Sequence, residues 1–225
     1  MKKKLLGIIG GMGTQATACF YEKLHSLQNV KTEQEYLDIL LYSIPSTPDR
    51  TAFITGQSPD SPLEHLINAA KTLESAGASC IAIPCITSHY FYSELADSVK
   101  IPVLNMLDET AGFTAKKGLK KVCLLATDGT IKGGAFNPAF KRFDINVDVP
   151  PKEVQSELMA LIYNIKRGSA VLSDVYDTLD KIVNEALKTG AEAVVLGCTE
   201  LCITADSPPH TINTLDVLAK ASLAL

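Results

Sequence analysis

The sequence lacks the features that mark several large classes of protein. It has no basic run beyond Lys2–Lys4 and carries a net charge of −4, which argues against nucleic acid as a partner. No apolar stretch approaches the ~20 residues of a membrane-spanning helix, so we expect no membrane partner. The six cysteines form no dense framework, and a chain of 225 residues needs no disulfides to build its core. We therefore predict reduced thiols in a cytoplasmic protein.

The N-terminus imitates an export signal only in part. Three lysines precede the apolar run Leu5–Gly10, but this run is short and is interrupted by Gly7. Cleavage would also remove what looks like the first strand of the core. We expect the segment to be retained.

What the sequence does contain is a regular alternation of strands and helices. Apolar runs typical of buried strands span residues 4–9, 36–43, 80–85, 121–126, 145–149 and 193–198. Helical patterns of ten or more residues separate most of them, such as 151–167 and 172–188, which end at Gly168 and Gly190. Such alternation predicts an α/β fold built on parallel strands.

Two landmarks recur along the chain at nearly the same offset. The turn at Gly11–Thr14 has a counterpart at Thr127–Thr130, and Cys85 has a counterpart in Cys198. We therefore predict two pseudo-symmetric domains, each a parallel-sheet α/β sandwich. The first is assigned residues 1–104, completed by 211–225, and the second 105–210. Ligands of open α/β sheets bind beyond the carboxyl ends of the strands, so the active site is expected in the interdomain cleft.

Cys85 and Cys198 each end an apolar run and are followed at once by residues able to start a helix. A helix N-terminus stabilises a thiolate, which would suit a base that acts near neutral pH. Two thiols on opposite sides of one carbon could remove a proton from one face and return one to the other, and so invert a stereocentre. The alternative is that a cysteine in this position is only a small buried apolar residue. We favour the first interpretation because the two settings match.

Removing a proton beside a carboxylate concentrates charge on the carboxylate oxygens, and hydrogen-bond donors must stabilise it. The turn at Gly11–Gly13, the backbone after each cysteine, and the hydroxyls of Thr87 and Thr199 are suitable donors. No lysine stands out as a pyridoxal-type site, and we predict that the chemistry needs no cofactor.

Several short motifs, in the same order along essentially the whole chain, resemble the aspartate racemase branch of the aspartate/glutamate racemase superfamily. They are Gly7-Ile-Ile-Gly-Gly-Met-Gly13, Pro48-Asp-Arg50, Pro84-Cys-Ile-Thr87 with His89, Leu125-Ala-Thr-Asp-Gly-Thr130, Lys166 and Gly197-Cys-Thr-Glu200.

This resemblance implies a cofactor-independent racemase, usually a homodimer, that acts on a small amino acid or dicarboxylate. By analogy with the family, Cys198 acts on the L-enantiomer and Cys85 on the D-enantiomer, while Arg50 and Lys166 hold the side-chain carboxylate. The remaining substrate-binding positions that we assign are Met12, Gly13, Thr14, Ile86, Thr87, Thr127, Thr199 and Glu200.

The sequence departs from the family pattern at two of these positions. Ile86 stands where the family usually has asparagine, so an amide donor is replaced by an aliphatic group. Thr14 stands in place of a common proline and could cap the following helix. The loss at Ile86 leaves open a second hypothesis, a catalytically impaired homologue that binds an amino acid or dicarboxylate. His89, one helical turn after Cys85, could tune that thiol, bind substrate or make a structural hydrogen bond.

Three other functions are compatible with parts of the sequence. Gly11, Gly13 and Ala16 fit a loose dinucleotide fingerprint, but the second strand lacks the acidic residue at its end that holds the ribose. Cys85 with His89 and Cys198 with Cys202 have a spacing that zinc ligands can have. A related isomerase that uses one thiol as a nucleophile is the third alternative.

Overall fold

The computed structural model describes residues 4–224. Its first sheet has three parallel strands in the order β2-β1-β3. The strands are β1 Leu5–Gly10, β2 Asp38–Ser43 and β3 Cys80–Ala82. The helices of this half are α1 Thr14–Ser26, α2 Arg50–Thr55, α3 Leu63–Ser75 and α4 Tyr92–Asp97, with 3-10 helices at Glu33–Glu35 and Thr87–Phe91. Val103 adds a single parallel bridge to Ile81 of this sheet.

The second sheet has four parallel strands in the order β5-β4-β6-β7. The strands are β4 Lys121–Leu125, β5 Asn146–Asp148, β6 Ala193–Leu196 and β7 Thr211–Asn213. The helices are α5 Met106–Lys116, α6 Asp128–Gly133, α7 Phe136–Lys141, α8 Lys152–Lys166, α9 Leu172–Leu187 and α10 Thr214–Leu223, with a 3-10 helix at Thr199–Cys202.

These elements follow from local sequence. Helix α9 buries one stripe with helical spacing, formed by Val175, Leu179, Ile182, Val183 and Ala186. Helices α8 and α9 are each followed by a glycine with positive φ, 70° at Gly168 and 83° at Gly190, a conformation that glycine adopts without strain. Both helix ends were predicted correctly from these glycines.

The core has two layers of packing around the first sheet. Ile9 and Ile81 pack with Leu66 and other residues of α3 on one face, whereas Leu6 and Ile8 belong to a larger cluster that continues into the second sheet. This division follows the alternation of side chains along a strand. Because the larger cluster includes residues of both sheets, the two halves share one apolar interior.

The predicted fold class is confirmed: this is an α/β protein with two parallel sheets. The strand β7, however, pairs with β6 in the second sheet, although residues 211–225 were assigned to the first domain. Helix α10 packs against both α1 and α5 and so contacts both halves. The domain boundaries themselves stay a prediction.

Two short helices, α2 and α7, were not expected. Arg50 begins α2, which the Asp49 carboxylate caps by accepting a hydrogen bond from Ala52 N–H at 2.9 Å. Likewise, the turn expected at Thr127–Thr130 is the start of α6. Across residues 4–224, no helix combines the length and apolar character needed to cross a membrane.

Candidate active site

Both cysteines lie just beyond the carboxyl ends of parallel strands. Strand β3 ends at Ala82, three residues before Cys85, and β6 ends at Leu196, two residues before Cys198. Both side chains are nearly buried, with exposures of 5% and 4%. This is the edge of an α/β sheet where ligands bind.

Lys166, in the last turn of α8, links the two thiols electrostatically. Burial lowers the pKa of Lys166, but the Glu200 carboxylate and, to a smaller extent, Cys198 and Cys85 raise it, and the net change is upward. Arg50 opposes this rise. The Lys166 ammonium therefore lies within electrostatic range of both cysteines and of the guanidinium. The fold brings these four predicted residues into one neighbourhood.

Glu200 is the centre of the hydrogen bonding around Cys198. Its Oε2 accepts from the Cys198 thiol at 3.0 Å and from the Thr199 hydroxyl at 3.4 Å. Its Oε1 accepts from Gly13 N–H at 3.1 Å and lies 3.9 Å from Lys166 Nζ. Only 2% of Glu200 is exposed. A buried carboxylate with these four neighbours joins the β1–α1 turn to the 3-10 helix that follows Cys198.

The prediction that a helix N-terminus stabilises the Cys198 thiolate is wrong, because the pKa of Cys198 is raised and not lowered. Burial and the neighbouring Glu200 charge raise this pKa well above its ordinary value, and Lys166 opposes them only in part. The element after Cys198 is a four-residue 3-10 helix, so it provides little dipole. In the resting protein Cys198 is a thiol that donates to a carboxylate.

The turn after β1 is held by a residue that the sequence analysis missed. The Thr17 hydroxyl donates to Gly13 C=O at 2.8 Å and accepts from Gly11 N–H at 2.9 Å. Thr14 does not cap α1, because the N-cap is Gly13, which has no side chain, and Thr14 is the exposed first residue of the helix. A threonine one turn inside a helix that follows a glycine turn is the signal that could have identified Thr17.

Three buried threonine hydroxyls join the two halves of the molecule. Thr87 lies 3.0 Å from both Thr127 and Thr130, and the last two are 3.1 Å apart. Thr127 also accepts from the backbone N–H of Thr130, at 3.2 Å. Thr87 and Thr127 were predicted to bind substrate, whereas Thr130 was not selected. The cluster aligns the segment after Cys85 with the start of α6.

Arg50 is buried and has no acidic partner in the described part of the chain. Its Nη1 donates to the carbonyl oxygens of Thr47 and Pro48, at 3.2 and 3.0 Å, while its buried Nε has no hydrogen-bond partner. Tyr163, on α8, donates to Asp49 Oδ2 at 3.4 Å, and the centre of its ring lies 6.0 Å from Lys166 Nζ. Tyr163 thus lies between Lys166 and Asp49, the residue that precedes Arg50, and it was not identified from the sequence.

Ile86 and Met12 are the apolar members of the predicted site. Ile86 is 1% exposed and belongs to the larger core cluster, together with Leu6 and Ile8. Met12 packs with Cys85 in the second cluster, and its sulfur accepts from the Ser88 hydroxyl at 3.5 Å. The Ile86 side chain therefore contributes to the core.

His89 makes structural hydrogen bonds. Met106 N–H donates to its Nε2 at 3.2 Å, which assigns the ring proton to Nδ1, 2.9 Å from the Cys85 carbonyl oxygen. Burial lowers the pKa of His89, and weaker hydrogen bonds to backbone oppose this effect. A neutral imidazole thus ties Cys85 to the start of α5.

The zinc hypothesis is wrong. The Cys202 sulfur lies near the carbonyl oxygens of Leu196 and Cys198, at 3.7 and 3.8 Å, and near the Thr214 hydroxyl. In the part of the chain that the structure describes, no group of three or more His, Cys, Asp or Glu residues could hold a metal ion.

Five cavities on the surface of residues 4–224 have neither Cys85 nor Cys198 in their lining. One of about 350 Å³ is at the amino ends of β1 and β3, where Leu6, Cys80 and Leu223 line it. It brings together no pair of thiols and no buried carboxylate. We therefore place the candidate site by its buried polar contacts and not by cavity size.

Known proteins were then compared with the whole chain. Residues 9–221 match the family described as Asp/Glu/Hydantoin racemase. The broad specificity amino-acid racemase RacX of Bacillus subtilis (strain 168) is 26% identical over 233 residues, covering 98% of this chain and 97% of RacX.

Two solved structures are similar over nearly their whole length. The Picrophilus torridus aspartate racemase has a TM-score of 0.85 and 30% identity, covering 98% of this chain and 93% of its own. An aspartate racemase homologue from Pyrococcus horikoshii OT3 has a TM-score of 0.76 and 28% identity, covering 100% and 98%. The protein therefore belongs to the Asp/Glu/hydantoin racemase family.

Proposed function

We propose that this protein is a cofactor-independent amino-acid racemase in which Cys85 and Cys198 exchange the Cα proton. The observation that carries the proposal is the matched placement of the two cysteines, each just beyond the carboxyl end of a parallel strand, with Lys166 Nζ 3.9 Å from the carboxylate that accepts from Cys198. Two thiols placed alike in the two halves of the molecule can serve the two faces of one small substrate. One thiolate removes the proton, and the other thiol returns one on the opposite face.

The surrounding groups suit an acidic amino acid. Arg50 is a buried guanidinium with an unpartnered Nε, and Lys166 is the second cation of the neighbourhood. A guanidinium fork matches a carboxylate in shape and charge. Aspartate racemases are among the similar proteins, and RacX is named for broad specificity. We therefore propose aspartate or a glutamate-like amino acid as the substrate.

The hydroxyls of Thr87, Thr127 and Thr199 and the N–H groups that follow each cysteine are the proposed donors to the α-carboxylate. Charge accumulates on this carboxylate when the proton leaves Cα. A well-aimed donor is worth about 3–4 kcal/mol of barrier in comparable sites. Thr87 and Thr127 now hydrogen-bond to each other and to Thr130, so they would redirect a hydroxyl towards the bound substrate.

The test is the incorporation of solvent deuterium at Cα of L- and D-aspartate and L- and D-glutamate, followed by NMR and chiral chromatography. We expect exchange with at least one of these pairs. Cys85→Ser and Cys198→Ser should each abolish racemisation and leave at most one-sided exchange, in which one enantiomer acquires deuterium without being converted. Undiminished racemisation in either variant would overturn the two-thiol mechanism.

The second candidate, a binding protein that has lost the chemistry, is favoured by one observation: Ile86 is aliphatic and buried where the family usually has an amide. It predicts that amino acids raise the thermal unfolding midpoint of the wild-type protein but acquire no deuterium. Racemisation by the wild type, abolished in both cysteine variants, decides against it.

A further inference from the structure

The Cys198 thiol must transfer its proton to an acceptor before its sulfur can act as a base. The side chain is 4% exposed, so the first acceptor of its proton is a neighbouring group of the protein. The nearest acceptor is Glu200, whose Oε2 lies 3.0 Å from the sulfur. Cys85 has no carboxylate within hydrogen-bonding distance in the part of the chain that the structure describes. The two thiols are therefore chemically unequal.

We propose that Glu200 is a proton-relay residue that exchanges a proton with Cys198 in each catalytic cycle. This inference rests on the proposed racemase function and gives Glu200 a role different from substrate binding. The second oxygen of the carboxylate is held by Gly13 N–H and lies near Lys166, so Oε2 is the oxygen directed at the thiol.

The proton inventory balances in both directions. With an L-substrate, the Cys198 S–H bond breaks and an O–H bond forms at Glu200 Oε2. The thiolate then takes the Cα proton and Cys85 gives its own proton to the opposite face, which leaves Cys85 as a thiolate. One proton then passes by way of solvent from Glu200 to Cys85 and restores the starting state. With a D-substrate, Cys85 first gives its proton by way of solvent to Glu200, its thiolate takes the Cα proton, Cys198 donates to Cα, and Glu200 reprotonates Cys198. No electron transfer or co-reactant is needed.

The environment of Glu200 permits this exchange. The Cys198 sulfur and Glu200 Oε2 are 3.0 Å apart, a hydrogen-bonding distance over which a proton can pass directly. Lys166 Nζ lies 3.9 Å from the other oxygen of Glu200, so a positive charge stands beside the pair wherever the negative charge resides. The proton therefore moves over one short contact inside a region of nearly constant net charge.

The main variant is Glu200→Gln, which keeps an oxygen that can accept from Gly13 N–H but cannot take a proton. We expect kcat to fall by about 10²-fold or more, the range of a lost acid–base group, with KM within about threefold of wild type. Glu157→Gln, which removes an exposed carboxylate of α8, is the matched control and should leave both constants unchanged. A lower KM with unchanged kcat would instead identify Glu200 as a competitor of the substrate and overturn the relay.

A second measurement does not depend on racemase activity. The Cys198 thiolate is titrated by its absorbance near 240 nm, as the difference between proteins with Cys198 and with Cys198→Ser. In the Glu200→Gln background the midpoint should move down by about one pH unit or more, because a like charge has been removed. A lower Cys198 midpoint together with a lower kcat in Glu200→Gln would support the relay, because simple loss of structure does not produce this combination.

Other combinations of kcat and titration midpoint also test the relay. A slower enzyme with an unmoved titration midpoint, or a moved midpoint with wild-type kcat, would overturn the relay. Glu200→Asp retains an acid at shorter reach and should recover part of the lost kcat, which guards against a fold defect in the amide variant. If the wild type racemises nothing but the midpoint moves, the proposed function fails while proton sharing between Glu200 and Cys198 stands.

Discussion

The Nδ1 atom of His89 lies 2.9 Å from the carbonyl oxygen of Cys85, and its Nε2 accepts from Met106 N–H at 3.2 Å. One buried ring thus fastens the segment after β3 to the helix α5 of the second half. Any movement of the ring would move the backbone that carries the Cys85 thiol. His89 is in this sense a positioning residue.

Replacing this ring tests the connection. His89→Ala should lower the free energy of unfolding by about 1–3 kcal/mol for each buried group left without a partner, as measured by urea denaturation. It should also lower racemase kcat, because the Cys85 backbone loses its support. His89→Gln can still accept from Met106 N–H and should recover part of both losses. Equal activity of His89→Ala and wild type would show that the ring does not position Cys85.

The same residue predicts a dependence of stability on pH. Burial lowers the pKa of His89 in the folded protein, so below about 6.5 the unfolded chain binds a proton that the folded chain resists. The contribution of neutral His89 to the free energy of unfolding is fully present above a pH of about 6.5, the usual histidine pKa. It is lost as the pH falls towards the lower pKa of His89 in the folded protein. Urea denaturation at pH 5 and pH 7.5 should show a smaller pH difference in His89→Gln than in wild type. An equal difference would assign the effect to other groups.

Gly13 packs so closely against Glu200 that an added side chain would require the Glu200 carboxylate to move. A Cβ at this position would lie 2.7 Å from Glu200 Oε1, whereas its φ of −93° is allowed for any residue. Gly13→Ala should therefore displace Glu200 and reduce racemase activity by about tenfold or more without backbone strain, since misplacement of 1 Å can cost 10²-fold.

The matched control for this change is Gly112→Ala within α5. There the added Cβ meets only Phe143, at an ordinary 3.9 Å. Alanine favours a helix over glycine by about 1 kcal/mol, so this variant should be as stable as wild type or more so, with unchanged activity. Full activity of Gly13→Ala would show that Glu200 can move without consequence.

Ile86 belongs to the core, and restoring the amide usual in the family should destabilise the protein. Ile86→Asn removes apolar packing and buries a polar group, which together cost about 2–5 kcal/mol in the free energy of unfolding. Ile86→Val is the control and should cost about 0.5–1.5 kcal/mol. Both are measured by urea denaturation. A stable Ile86→Asn protein with faster racemisation would place this side chain at the substrate and contradict its assignment to the core.

Arg50 provides the test of substrate class. Arg50→Lys keeps the charge but loses the planar fork, so KM for aspartate should rise by about tenfold or more while kcat changes less. Alanine has no side-chain carboxylate, so its KM should be nearly the same in Arg50→Lys and in wild type. Steady-state kinetics with aspartate and alanine measure the difference. A parallel rise of KM for both amino acids would show that Arg50 does not contact the side chain.

Much of this fold could be predicted because its signals are local. The apolar run of β1, the buried stripe of α9 and the glycines after α8 and α9 each express themselves within a few residues. The repeated setting of Cys85 and Cys198 likewise required only the pattern of strand ends. Patterns that span only one or two helical turns predict local structure without any knowledge of how distant parts of the chain pack.

Other features depended on distances between residues remote in the chain, and no local pattern could reveal them. Glu200 meets Gly13 across 187 positions, and the Thr87 hydroxyl meets Thr130 across 43. The Cys198 pKa rises, against the expectation from a helix start, because burial and the Glu200 charge outweigh a short 3-10 helix. Residue type and order were sufficient for most strands and the long helices, and for selecting the two cysteines at strand ends, but not for the short helices α2 and α7. Which charge lies beside which thiol was decided only when tertiary packing excluded water, since electrostatic effects depend on that exclusion.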